Sequence, residues 1–225
     1  MVKPLFDITA FSLLDYPNKA ACIFWFVGCN MRCQYCYNPD IVFGKGKIAI
    51  AEAERFLQAR RGLLQAVVMS GGECSIHRDL LTLARIAKDL GYLVKIDTNG
   101  ASPKNLQMLI NEGLVDYVAL DFKTLAPNFQ EVTGVSTFAS FETSFAILQS
   151  ADIPFEVRTT VHSELLKKDD ILQMIDFLVQ KEYKGTYYLQ LALNDVKTLV
   201  ELPRSEYTSS NLAFESTAIP VVVRA

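Results

Sequence analysis

The stretch from Ala21 to Cys36 reads A-C-I-F-W-F-V-G-C-N-M-R-C-Q-Y-C and joins an apolar run directly to three cysteines. The run is almost wholly apolar, which is typical of a strand that is buried on both faces of a parallel sheet. Gly28 ends the run, and Cys29, Cys33 and Cys36 follow with the spacing C-x3-C-x2-C. The stretch therefore predicts a buried strand that leads straight into a cysteine-rich loop.

The composition limits the class of protein. The chain has 225 residues, of which 50% are hydrophobic and 21% are charged, and its net charge is −3. This length fits one core, so we expect residues 1–225 to form a single domain. The weak net charge, without a basic stripe, argues against a nucleic-acid binder and against a polybasic membrane surface.

The location of the protein follows from its apolar segments and its cysteines. No apolar run approaches the ~20 residues that span a bilayer, and the first residues lack the pattern of a signal peptide. Five cysteines, three of them clustered, do not resemble the disulfide framework of a small secreted domain. The sequence therefore predicts a cytoplasmic protein with no membrane partner.

Short apolar runs alternate with longer segments of helical spacing. This alternation predicts an α/β fold with a mostly parallel sheet covered by helices. The segment before residue 21 is expected to add a strand or hairpin, and residues 203–225 to form a tail with a possible short helix. Strands are predicted at 22–27, 66–70, 93–98, 117–122, 155–160 and 187–193, and helices at 50–61, 77–90, 103–112, 138–150 and 169–181.

Polar or glycine-rich residues stand at or just after the end of each predicted strand. In parallel α/β folds the ligand lies outside the carboxyl ends of the strands, so we expect these residues to meet at one site. Besides the cysteine loop they are S-G-G-E at 70–73, D-T-N-G at 97–100, D-F-K at 121–123, R-T-T-V-H at 158–162 and Q-L-A-L-N-D at 190–195.

Three cysteines at this spacing can converge on one metal centre, and their soft sulfur ligands select zinc or an iron–sulfur cluster. Three thiolates on a four-iron cluster would leave one iron open, in the same way as a catalytic zinc keeps an open position. The spacing alone leaves both metals open. Zinc would need a fourth ligand, for which the candidates are Cys22, Cys74, His77 and His162.

The cysteine spacing, with Tyr35 before the last cysteine and G-G-E at 71–73 after the next strand, resembles the radical S-adenosylmethionine (SAM) superfamily. Within it the chain is similar to the activating enzymes of glycyl-radical enzymes, in particular those of anaerobic ribonucleoside-triphosphate reductase. The resemblance spans about residues 6–195 and implies a partial (βα)6 barrel of parallel strands. Further supporting stretches are I-T-A-F-S-L-L-D-Y-P-N-K at 8–19, C-Y-N-P-D, D-T-N-G, D-F-K and R-T-T-V.

The resemblance implies a [4Fe-4S] cluster on Cys29, Cys33 and Cys36, with the amino and carboxylate groups of SAM on the fourth iron. Reductive cleavage of SAM would yield a 5′-deoxyadenosyl radical that generates a glycyl radical on a partner enzyme. The implied partner is a class III anaerobic ribonucleotide reductase. A low-potential electron donor such as flavodoxin or ferredoxin would supply the electron.

The resemblance also assigns roles to residues around SAM. Tyr35 would lie near the adenine, and the backbone or carboxylate of the G-G-E motif would meet the SAM ammonium. Arg158 could pair with the SAM carboxylate, and a monovalent cation could bind nearby. The implied SAM-binding set is Tyr35, Gly71, Gly72, Glu73, Asp97, Thr98, Asp121, Lys123 and Arg158, with the cation at Asp97, Thr98 and Asp121.

Two positions depart from the pattern of the activating enzymes. Tyr37 stands where they commonly have His, and Cys74 stands where Pro commonly follows G-G-E. We expect Cys74 to be a partly buried structural thiol, and Cys22 to belong to the core. Two alternatives remain, namely a small-molecule radical SAM enzyme such as a 7-carboxy-7-deazaguanine synthase, and a zinc-stabilised interaction module.

Overall fold

The computed structural model describes residues 3–214 and 217–224. Within them, eight strands join in one sheet whose spatial order is the order of the chain. The first two strands are antiparallel, and every later neighbour is parallel. The strands are β1 (Leu5–Ser12), β2 (Ala21–Phe26), β3 (Ala66–Gly71), β4 (Leu93–Thr98), β5 (Tyr117–Asp121), β6 (Phe155–Val161), β7 (Tyr187–Leu191) and β8 (Val221–Arg224).

Helices fill most of the connections between the parallel strands. A short 3-10 helix over Cys74–Ile76 follows β3 directly. The α-helices are α1 (Pro39–Phe43), α2 (Ile50–Arg60), α3 (Asp79–Asp89), α4 (Pro103–Asn111), α5 (Ala126–Thr133), α6 (Phe138–Ser150) and α7 (Lys168–Gln180). In the described part of the chain, no helix is long and apolar enough to cross a membrane.

The α/β fold with a mostly parallel sheet is confirmed. The six predicted strands are β2 to β7, and their ends differ from the predicted ends by no more than two residues. The five predicted helices are α2, α3, α4, α6 and α7, within the same margin. The expected N-terminal strand is β1, which forms a hairpin with β2.

The prediction for the tail is wrong in one respect. The final valines form β8, a seventh parallel strand beside β7, and no helix lies in residues 203–214 and 217–224. β8 is short and follows a polar segment, so the sequence does not indicate a strand there. Its stabilising contacts are with residues far away in the sequence. The Arg224 guanidinium pairs with the buried Glu156 carboxylate at 3.2 Å and stacks over the Tyr188 ring.

Helices α1 and α5 were not predicted either. A proline near the start of each reads as a loop signal in the sequence. In the structure these prolines lie in the first helical turn, where the missing N–H is not needed. Helix α5 then ends at Gly134, whose φ of 75° is left-handed.

The strand β2 is buried on both faces, as its apolar run predicts. Phe24 and Phe26 pack into the large core between the sheet and the helices. Ile23 packs on the opposite face with Val68 and Tyr117. The sheet therefore has a second, inner face, on which polar side chains are arranged toward the carboxyl ends of the strands.

No strand pairing joins β1 to β8 among residues 3–214 and 217–224. The hydrogen bonding of the sheet is thus open along one side. This openness agrees with a partial barrel, and the carboxyl ends of β2 to β7 remain accessible around the inner face.

Candidate active site

The loop that carries the three cysteines is held by segments far away in the sequence. The Arg32 N–H donates to the Thr133 carbonyl at the end of α5, at 2.7 Å. The Leu199 N–H donates to the Cys36 carbonyl, at 3.0 Å. Gly28, at the start of the loop, has a φ of 81°, which agrees with the tight turn expected there. The loop is therefore fixed from both sides by backbone hydrogen bonds.

A cavity of about 220 Å³ lies between this loop and the carboxyl ends of the strands. It brings together Cys29, Cys33 and Cys36 with eight of the nine residues predicted to bind SAM. The exception is Thr98, which is buried behind Glu73. The other lining residues are Asp15, Trp25, Met31, Tyr37, Asn38, Val42, Ser70, Asn99, Thr160 and Gln190.

The thiols fit an iron–sulfur centre in chemistry and in number. Burial raises the pKa of the Cys29 thiol to about 12 and also raises the pKa of Cys33. A metal that binds them must therefore displace their protons, as metals do at thiolate sites. Three soft ligands that line one cavity suit an iron–sulfur cluster with one open iron.

The two remaining cysteines face away from this cavity. Cys22 is fully buried in the core of the sheet, as predicted. Cys74 is also fully buried, and its thiol donates to the carbonyls of Met69 and Asp97, both at 3.3 Å. Cys74 is more deeply buried than expected, and these contacts commit it to a structural role.

The side chains of the two histidines also contact backbone groups. His77 Nε2 lies 2.5 Å from the Val27 carbonyl. In His162, Nδ1 accepts from the Glu164 N–H at 3.2 Å, so Nε2 donates to the Pro203 carbonyl at 3.1 Å. All four candidates for a fourth zinc ligand thus have structural contacts. In the described residues, no three His, Cys, Asp or Glu side chains are arranged to hold a single metal ion.

The G-G-E motif presses against the start of the cysteine loop. The Gly72 N–H donates to the Phe26 carbonyl, and the Glu73 N–H donates to the Gly28 carbonyl, both at 2.9 Å. A Cβ on Gly72 would lie 1.9 Å from the Gly28 oxygen, and one on Gly71 would lie 2.3 Å from the Phe26 nitrogen. The glycines are required because two backbones touch here, whatever ligand binds beside them.

The Glu73 carboxylate ties the ends of β3 and β4 together. It accepts from the Ser75 N–H at 3.0 Å, from the Thr98 hydroxyl at 2.7 Å and from the Asn99 N–H at 2.7 Å. Burial raises its pKa, and these donors oppose that rise. With three protein donors on this carboxylate, the backbone carbonyls of the motif are the freer partners for the predicted SAM ammonium.

Five charged side chains form a continuous network on the inner face of the sheet. Arg158 lies between two carboxylates, with Nε 2.5 Å from Asp121 and a terminal nitrogen 3.3 Å from Asp97. Lys123 pairs with Asp121 at 3.1 Å, and Lys95 pairs with Asp97 at 2.9 Å. Three cations and two anions leave one positive charge beside the cavity.

The network favours the charged forms of Asp97, Asp121 and Lys123. Burial would raise the pKa of Asp121, but the adjacent Arg158 and Lys123 outweigh it and lower that pKa to about 2. The pKa of Asp97 is also below its usual value, because Arg158 and Lys95 outweigh burial. Burial alone would lower the pKa of Lys123, yet Asp121 raises it well above its usual value.

The predicted monovalent cation site gains no support from this arrangement. Asp97 and Asp121 are already paired with protein cations, and the Thr98 hydroxyl is donated to Glu73. Asp97 Oδ1 has no hydrogen bond among the described residues, but the Lys95 ammonium lies 2.9 Å from it, so a further cation there would lie beside a protein cation. The cation stays a prediction.

Tyr35 lies at the inner wall of the cysteine loop and is 6% exposed. Its hydroxyl is buried and has no hydrogen-bond partner among the described residues. The Lys123 ammonium lies 5.9 Å from its ring. A buried, unsatisfied hydroxyl beside the cavity fits a site that receives a bound group, and the predicted contact with adenine stays a prediction.

Sequence reasoning did not single out several residues that shape the site. The Asn99 side-chain amide donates to the Asn30 side-chain oxygen Oδ1 at 3.0 Å and so connects β4 to the cysteine loop. Lys95 interrupts the apolar strand L-V-K-I-D-T, which was an available signal for a buried ion pair. Thr160 and Gln190 lie in stretches that were noted as strand ends, without a role of their own.

Comparison with known proteins agrees with this geometry. The family model for the radical SAM superfamily matches residues 23–178. The chain belongs to the radical SAM superfamily. This membership confirms the [4Fe-4S] cluster and SAM as the implied cofactors, for which the three thiols and the adjacent cavity provide the binding residues.

Two curated relatives of this radical SAM chain are named as activating enzymes. The "Putative glycyl-radical enzyme activating enzyme" of Methanocaldococcus jannaschii is 34% identical over 171 residues, or 73% of this chain and 70% of that protein. The pyruvate formate-lyase-activating enzyme of Streptococcus mutans is 31% identical over 141 residues, or 56% of this chain and 53% of that protein. The matched region therefore spans about half the length of the second relative.

Solved structures show the same radical SAM fold. SuiB of Streptococcus suis, bound to S-adenosylmethionine, superimposes with a TM-score of 0.68 over 88% of this chain and 47% of that chain. The sequences are 14% identical, so this likeness extends to the fold alone.

Gly71→Ala should destabilise the protein more than Gly91→Ala. Both glycines have positive φ, 118° and 87°, but a Cβ meets backbone only at Gly71 and meets nothing within 4 Å at Gly91. The left-handed conformation costs about 1–2 kcal/mol in either variant, and overpacking should add about 1–3 kcal/mol at Gly71. Urea unfolding of both variants measures the difference, and equal losses would contradict the backbone contact described here.

Asp121→Asn should destabilise the apoprotein at neutral pH by roughly 2–3 kcal/mol, with the loss fading in acid. Because folding lowers the pKa of Asp121, its stabilisation is complete above the unfolded pKa of about 3.9 and disappears as pH falls toward 2. Urea unfolding at several pH values measures the gap from the unmodified protein. The exposed Asp152→Asn is the control, and a pH-independent gap for Asp121→Asn would contradict the argument.

Proposed function

We propose that this radical SAM chain is an activating enzyme that generates a glycyl radical on a partner protein. The similarity to two proteins named as activating enzymes supports the proposal. The stretches D-T-N-G and D-F-K, which favour this class over a 7-carboxy-7-deazaguanine synthase, supply Asp97, Asn99, Asp121 and Lys123 to the cavity.

The observation that carries the proposed SAM chemistry is the set of three cavity-lining thiols, with no fourth in the described part of the chain. Cys29, Cys33 and Cys36 line the cavity, whereas Cys22 and Cys74 are buried in the core. A cluster on these three ligands keeps one iron free for SAM. A fourth thiolate would take that position and prevent the reaction.

When bound and reduced, the cluster would supply the one electron that cleaves SAM to methionine and a 5′-deoxyadenosyl radical. That radical would take a hydrogen atom from the α-carbon of the glycine on the partner. The chain's own residues would bind and orient the reactants. Lys123 and Arg158 present the excess positive charge that a SAM carboxylate requires. The G-G-E backbone would offer carbonyls to the ammonium.

The size of the cavity limits how a protein substrate could reach it. About 220 Å³ is too small for a folded domain, so a partner would have to insert an extended loop past the open side of the sheet. We propose a class III anaerobic ribonucleotide reductase as the partner, on the resemblance of the motifs, and flavodoxin or ferredoxin as the electron donor. We also propose that the whole chain acts as a single cytoplasmic domain.

Cys33→Ala should abolish cluster assembly, whereas Cys74→Ala should leave it largely intact. The first thiol lines the cavity and the second is committed to two carbonyls in the core. After anaerobic reconstitution, the unmodified protein and Cys74→Ala should bind about four irons and release 5′-deoxyadenosine with dithionite and SAM. Loss of iron in a folded Cys74→Ala variant would overturn our assignment of Cys74.

The reconstituted protein should produce a glycyl radical when it is incubated with SAM, dithionite and a class III ribonucleotide reductase. Paramagnetic resonance detects this radical, and a reductase with its radical glycine replaced by Ala is the control. A small-molecule radical SAM enzyme would cleave SAM without the protein-borne signal. A colourless protein that binds zinc and no iron would contradict both radical hypotheses.

A further inference from the structure

One wall of the cavity carries polar side chains that the proposed cofactor contacts do not use. Thr160 and Gln190 line the cavity from β6 and β7 and are half-buried. Neither side chain hydrogen-bonds to another residue in the part of the chain that the structure describes. They are therefore available to a ligand.

The register of the sheet places these two side chains next to each other. Thr160 pairs with Gln190 in the parallel ladder between β6 and β7, and neighbouring strands lie about 4.8 Å apart. Thr159 points to the other face, where its hydroxyl donates to the Phe122 carbonyl at 2.5 Å. Thr160 and Gln190 thus share the inner face, one step beyond Arg158 toward the carboxyl edge.

The wall faces the cofactor side of the cavity. β2 and β7 are five positions apart in the sheet order, yet residues that follow β2 and residues of β7 line the same cavity. The sheet must therefore curve so that the two sides face each other. The cysteines and the G-G-E motif occupy the β2 and β3 side, and the proposed SAM contacts end at Arg158 on β6, which leaves the part of β6 and β7 beyond Arg158 for a second reactant.

The chemistry of the pair selects a neutral ligand. A glutamine amide donates and accepts hydrogen bonds, and so does a threonine hydroxyl. Arg158 on β6 is already paired with Asp97 and Asp121, and Arg224, beside Gln190 in the ladder between β7 and β8, is paired with Glu156. A peptide group, with one donor and one acceptor, matches this pair, which carries no charge of its own for a phosphate or a carboxylate.

We infer that Thr160 and Gln190 bind the main chain of the substrate segment that carries the reacting glycine. This inference rests on the proposed function, and it names a substrate-binding wall opposite the cofactor. The side chains act as positioning residues, because they hold the peptide backbone and leave the hydrogen transfer to the cofactor radical.

The test combines Thr160→Val and Gln190→Leu, which keep the approximate volume and remove the hydrogen bonds. The substrate is a class III ribonucleotide reductase labelled with α,α-dideuterated glycine, and the readout is deuterium in 5′-deoxyadenosine. A lost hydrogen bond is worth about 1 kcal/mol, so KM for the reductase should rise about five-fold in each variant and about thirty-fold in the double variant. SAM affinity and iron content should stay within two-fold of the unmodified protein.

Matched variants separate binding from folding. Gln180→Leu changes an exposed glutamine on α7 and should leave KM unchanged. Thr160→Ser keeps the hydroxyl and should remain near the unmodified value. If Thr160→Val takes up no iron, Thr160→Ala replaces it in the same measurement.

The outcomes distinguish the two proposals. Deuterium transfer by the unmodified protein with unchanged KM in the double variant would overturn the inference and leave the activating function intact. Loss of SAM affinity in the variants would also overturn it, because the pair would then belong to the SAM site. Absence of deuterium transfer by the unmodified protein would overturn the proposed function, and the inference with it.

Discussion

Two backbone hydrogen bonds join the end of β3 to the start of the cysteine loop, and the arrangement of the site depends on them. The N–H groups of Gly72 and Glu73 donate to the carbonyls of Phe26 and Gly28. Since no side chain fits between these backbones, the cysteine loop and the G-G-E motif are held in a fixed position relative to each other. The Glu73 carboxylate also connects them to β4, through hydrogen bonds from Thr98 and Asn99.

The parallel sheet and the charged network complement this contact. The sheet brings the carboxyl ends of seven parallel strands to one edge, which is a property of the topology and would serve many reactions. What limits the chemistry is the composition of the cavity, with soft thiols on one side, paired charges at the centre and neutral amide and hydroxyl groups on the other. Such a division suits a metal cluster, a charged cofactor and an uncharged peptide segment.

Most of the sheet was predictable because each strand from β2 to β7 is an apolar run bounded by polar residues. The cysteine site was predictable for a similar reason, since three ligands lie within eight residues of one another. By contrast, β8 is stabilised by the contact of Arg224 with Glu156, 68 residues away, and no local sequence pattern predicts that contact. Likewise, Asp97 and Asp121 are predicted as cation ligands from the sequence, but no local pattern shows that Arg158 lies between them.

The charged network has a consequence for how this site can be studied. Arg158 shares its guanidinium between two carboxylates, each of which also holds a lysine. Removing a carboxylate leaves its lysine without a partner, whereas removing Arg158 or a lysine leaves each carboxylate with one cation, so single substitutions should report unequal losses that do not add. Ranking the five residues by such losses would be misleading, and only double-mutant cycles would apportion their contributions.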